Sequence, residues 1–183
     1  MNGWNRSLGR MAAVLALLLV ATLVFAAPPG RGKGKGAPGG PRGKGRGGDP
    51  AFVADRDVLH YLLAHHKEIR REVKNIDGGV ETITESDNPE VTAAIQTHVP
   101  AMARRVKERD PIHLRDPLFA ELFRNADKIS FAHENTEKGV RVREGSRDRY
   151  TAKLIQAHAQ VVSLFLKNGW AEMHKNHDVP PKN

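Results

Sequence analysis

Apolar and polar positions along this chain change their rhythm in the same order twice. The run KEIRREVKNIDGGVETIT, from Lys67 to Thr84, sets Ile69, Val73, Val80 and Thr82 around a turn holding Asp77, Gly78 and Gly79, which is the pattern of a β-hairpin. KISFAHENTEKGVRVRE, from Lys128 to Glu144, does the same, with Gly139 where Gly79 stands. Both glycines are expected to supply a positive φ. Asn88 and Asp148 then occupy equivalent N-cap positions, with Pro89 at the first helical position of the first copy. Beyond the caps the apolar spacing becomes 3 and 4. Val91, Ile95, His98, Met102 and Val106 form one stripe; Leu154, His158, Val161 and Phe165, flanked by Ile155 and Val162, form the other. Helices are predicted to run to about Arg109 and about Asn168. Shorter amphipathic helices precede each hairpin, opened by Asp49 with Pro50 and by Asp116 with Pro117.

These runs are one unit written twice. Laid without a gap over 122–158, residues 62–98 give nine identities in 37 positions, where chance supplies roughly two. Among them are Gly79/Gly139, Ile95/Ile155, Gln96/Gln156 and His98/His158. The predicted fold is α+β: two tandem helix-hairpin-helix (αββα) repeats, about 51–110 and 111–170, followed by a C-terminal tail. Their hairpins pair into one four-stranded antiparallel sheet with helices packed on one face, about a pseudo-twofold axis.

What precedes this domain, 51–183, reads differently. Residues 1–26 have the form of a secretory signal peptide: Arg6 and Arg10 without an acid, an uncharged apolar run from Met11 to Phe25, and Val24 with Ala26 suited to cleavage. That run falls short of the roughly 20 residues of a spanning helix, so an uncleaved anchor is the lesser alternative. The expected location is periplasmic or extracellular. Residues 27–50 form a basic Gly/Pro/Lys/Arg linker, expected to be disordered and able to contact anionic lipid or polymer.

Charge changes the picture less than its total suggests. Of the net +8, residues 1–27 carry +2 and residues 28–50 carry +5, leaving the folded part nearly neutral. A specific nucleic-acid partner is therefore not expected. The absence of cysteine removes disulfides, thiolate ligands and thiol chemistry, so the core alone must hold the fold.

Candidate chemistry rests on the histidines. His98 and His158 lie on apolar stripes at matching positions, and a pseudo-twofold axis would bring them toward each other. Met102 lies one turn from His98, and His133 matches Val73 on the hairpin face that carries Ile129 and Phe131. Imidazole with thioether and no thiolate suits copper. The alternative ligand is non-covalent haem with His98 and His158 as axial donors, since no CxxCH is present. A secondary surface metal site is conceivable at Glu172, His174 and His177, provided the helix continues past Gly169. His60, His65, His66 and His113 carry no pattern. Pro100 is expected to kink the helix beside His98.

No GxSxG, HExxH or phosphate-binding loop is present, so an enzyme is the weaker expectation. The sequence points to an exported copper- or haem-binding protein, accessory to envelope redox systems and with an envelope protein partner. The alternative is a structural or protein-interaction module whose histidines fill the core.

Overall fold

Each of the longer helices starts on a side-chain cap. In the computed structural model, which describes residues 49–182, the Asp49 carboxylate accepts from the Ala51 amide at 3.0 Å and opens α1 (Pro50–Ala64). Asn88 accepts from Glu90 at 3.0 Å at the start of α2 (Pro89–Glu108). Asp116 accepts from Leu118 at 2.9 Å before α3 (Pro117–Arg124), and Asp148 from Thr151 at 2.8 Å before α4 (Arg149–Asn168). A cap of this kind contributes about 1 kcal/mol. α2 continues through Pro100 without interruption. α4 stops at Gly169, whose φ of 57° and close approach to the His66 ring both disfavour a side chain. A single short helix follows, α5 (Trp170–Met173). The expected signal peptide and nearly all of the expected linker lie outside the described residues. Among the described residues no helix is long and apolar enough to cross a membrane.

Two hairpins, β1 (Ile69–Ile76) with β2 (Gly79–Ser86) and β3 (Ser130–Asn135) with β4 (Gly139–Gly145), join into one antiparallel sheet of order β1-β2-β4-β3. β2 and β4 are therefore the central pair. Their register sets Gly79 opposite Gly145, and Glu85 opposite Gly139. Here an expectation is corrected: the positive φ of the first turn belongs to Gly78, at 73°, and neither Gly79 nor Gly139 adopts one. The two glycines are needed for space instead. A Cβ on Gly79 would lie 2.0 Å from the Glu144 carbonyl oxygen, and one on Gly139 would lie 2.0 Å from that of Thr84.

Alternation along the central strands sorts their side chains. Val80 and Thr82 of β2 and Val140, Val142 and Glu144 of β4 are buried, while Arg141 and Arg143 between them are exposed. The helices cover the buried face, and they do so crosswise. Val80 of the first hairpin packs with Leu154, Ile155 and Phe165 of α4 and with Leu118 and Leu122 of α3. Val140 and Val142 of the second pack with Val91 and Ile95 of α2 and Leu62 of α1. Each long helix thus lies over the hairpin it does not follow. Burying one such aliphatic side chain contributes roughly 1.5 to 3 kcal/mol.

The crossing is fixed by paired polar contacts. Gln96 donates from Nε2 to the carbonyl oxygens of Thr136 (3.0 Å) and Gly139 (3.2 Å) in the second hairpin turn. Gln156 donates likewise to Gly79 (3.2 Å) in the first. The Ser86 amide donates to Lys138, and the Ser146 amide to Gly78.

Candidate functional site

The stretches Ile95–His98 and Ile155–His158 divide the same three tasks. Ile95 and Ile155 are fully buried in the core. Gln96 and Gln156 reach the opposite hairpin turns. His98 and His158, half a turn further along, line a single cavity of about 400 Å³ between the helices and the sheet. Spacing along the helix explains the division, because positions i, i+1 and i+3 look out in three directions.

The cavity wall is almost wholly apolar. α2 contributes Ile95, His98 and Met102; α4 contributes His158, Val162 and Phe165; α1 contributes Phe52, Leu59 and Leu63. On the sheet side stand Val80, Thr82, Thr84 and Val142, with Arg71 of β1 and Glu144 of β4 as charged members. A volume near 400 Å³ falls in the range of sites that enclose a small molecule.

Both imidazoles are held neutral. Burial depresses His98 to about 4, against a small opposing effect of Asp55. Burial likewise depresses His158 to about 4, helped by the charge of Arg71 and opposed by Asp116; a charge on His98 would lower it further. Each ring retains some accessible surface, and each lines the cavity. The Nδ1 atom of His98 is buried and has no hydrogen-bond partner. The His158 ring packs edge-on against Phe119, with centroids 5.0 Å apart. His66 provides a contrast, for its Nδ1 lies 2.7 Å from the Leu166 carbonyl oxygen in an ordinary satisfied contact.

Two further polar atoms on the wall lack partners: Nε of Arg71 and Nε2 of His113. Burial lowers Arg71 to about 10, offset in part by Glu144. Burial raises Glu144 to about 7, offset in part by Arg71. His113, at a φ of 60° in the segment between α2 and α3, packs edge-on against Phe119 at 4.9 Å, and burial lowers its pKa. Sequence reasoning passed over all three. Strand alternation does place Arg71 with Ile69 and Glu144 with Val142, so that signal was present; His113 carries no periodic signal.

Met102 shares the cavity with His98 and His158. His133 does not. It is exposed on the edge strand β3, opposite Val142, with its ring 6.1 Å from Phe131. The residue lies on the inward phase of the strand but beyond the cover of the helices. Among the described residues no group of three or more His, Asp or Glu side chains converges as a metal cage.

Nor do Glu172, His174 and His177 share a helix face, because Gly169 ends α4 and α5 closes before His174. His174 is exposed. His177 instead straps the C-terminal segment to the domain: Nδ1 lies 2.5 Å from Asp116 and Nε2 lies 2.9 Å from Glu172. Both ring nitrogens are occupied there by carboxylates. Burial opposes charge on His177, but its bonds to Asp116 and Glu172 outweigh burial and raise the pKa.

Comparison with protein families, with curated proteins and with solved structures found no match to this chain.

Proposed function

We propose that this chain is an exported binding protein that holds a haem-type tetrapyrrole in the cavity, with His98 and His158 as axial donors to its iron. One observation carries the reading: two neutral imidazoles line the same apolar cavity, one of them with a buried nitrogen that nothing else satisfies. Neutral imidazole is the protonation state that donates to iron. An apolar enclosure of this size suits a flat macrocycle better than a bare ion, whose donors would have to converge on one point. Export rests on the N-terminal pattern of residues 1–26, and a role beside an envelope redox partner follows from that location. A tandem duplication about a pseudo-twofold axis accounts for the matched imidazoles. The Gln96 and Gln156 contacts, sixty residues apart at donor and acceptor alike, support that axis.

Titration of the full protein with ferric protoporphyrin tests the proposal. The expected result is a sharp Soret band with a low-spin spectrum at one equivalent. His98→Ala and His158→Ala should each abolish the low-spin signature, while His133→Ala leaves it intact. Absence of the low-spin band in the unaltered protein would overturn the reading and leave a scaffold whose histidines fill its interior. Met102 on the same wall favours a second reading, a copper ion held by His98, Met102 and His158. That alternative requires about one equivalent of copper to survive desalting and to be lost in Met102→Leu, which has no effect on axial ligation by the two imidazoles.

A further inference from the structure

An apolar cavity that also takes in a half-buried guanidinium requires an explanation of its own. Arg71 points from β1 into the space, its Nη1 donating to Thr84 Oγ1 at 2.5 Å while its Nε remains buried and unpartnered. Arg56, another cation on the wall, differs in being exposed and bonded to Asp57 at 2.7 Å. Glu144 is the carboxylate among the described residues lining the cavity, and it is itself buried. It acts on Arg71 electrostatically, yet the hydrogen bond of Arg71 goes to Thr84 and not to Glu144. A guanidinium whose Nε–H is buried and unpartnered is a site prepared for an acceptor, and a planar carboxylate is the acceptor its fork geometry fits.

We infer that Arg71, with Thr84 beside it, forms the subsite that receives a carboxylate of the bound molecule. This deepens the tetrapyrrole reading and rests on it, since protoporphyrin carries two propionates on one edge of an otherwise apolar ring. Arg71 is near enough to His158 for its charge to bear on that imidazole. Arg71, His98 and His158 line the same cavity, so a propionate at the edge of a ring held there meets the guanidinium on the cavity wall. Glu144 modulates the subsite: when ionised it competes with the ligand carboxylate for the same positive charge, so neutralising it should favour an acidic ligand.

The experiment is a fluorescence titration of the full-length protein with metal-free protoporphyrin IX and with its dimethyl ester. The expected result is about tenfold tighter binding of the free acid. Arg71→Met should bring the two to within about threefold. Glu144→Gln should tighten the acid and leave the ester unchanged. The comparison of acid and ester on the unaltered protein does not depend on any variant folding. Equal binding of acid and ester, a preference that survives Arg71→Met, or no binding of either porphyrin would each overturn the subsite. Because the metal-free ring needs no axial donor, failure of the two readings can be told apart. A clear acid preference alongside a ferric form that stays high-spin would sink ligation by His98 and His158 and uphold the carboxylate subsite.

Discussion

A β-carbon on Gly139 would fall 2.0 Å from the Thr84 carbonyl oxygen, well inside the contact distance of a carbon and an oxygen. Since the residue has no positive φ, the constraint is one of room between the two central strands and not of backbone handedness. Gly139→Ala and Gly139→Asn should therefore destabilise the domain alike, by about 1 to 3 kcal/mol, as measured by urea midpoints. Asparagine tolerates the left-handed region, so a clearly milder effect of Gly139→Asn would argue for handedness after all. His177 supplies a second residue-scale test. Its pKa is raised in the folded state, so its contribution is fully present below the unfolded value of roughly 6.5 and disappears as pH climbs through the folded value. At pH 6, His177→Ala should cost about 2 kcal/mol, the scale of a hydrogen bond to a charged group, and the cost should shrink above neutrality. A cost independent of pH between 6 and 9 would mean the imidazole ties the C-terminal segment down by packing alone.

At the scale of elements, the crossing of α2 and α4 over each other's partner hairpins makes Gln96 and Gln156 a matched pair of clips. Alanine at either position should cost about 1 kcal/mol, the scale of a hydrogen bond within the fold. The double variant should cost the sum, since the two clips share no partner. Hydrogen exchange provides the local readout: amides of the β3–β4 turn should lose protection in Gln96→Ala, and those of the β1–β2 turn in Gln156→Ala. The opposite assignment would contradict the crossed arrangement.

Over the whole molecule, what could be read in advance was what is local, together with the joining of the two hairpins into one four-stranded antiparallel sheet. Caps at Asp49, Asn88, Asp116 and Asp148 are set by side chains bonding amides two or three residues away, and all four are in place. The hairpins and the stripes carrying His98 and His158 were readable from period alone. Long-range register was not. His133 has the correct strand phase, but only the sheet order puts β3 at an edge, where a side chain of that phase escapes cover. Arg71 and Glu144 have inward phase too, but a charged side chain in a strand carries no sign in the sequence of the cavity it lines. His113 sits on irregular backbone, for which no period exists.

The crossed helices also govern how the chain can mature. The apolar side of the first hairpin finds its cover in α4, more than sixty residues downstream of Val80, so an emerging N-terminal half has no finished interior to hide. Pairings this remote in sequence are slow to close, and they close together. The histidine-lined cavity therefore closes only once α4 is in place, and a chain ending before Phe165 would lack part of its wall.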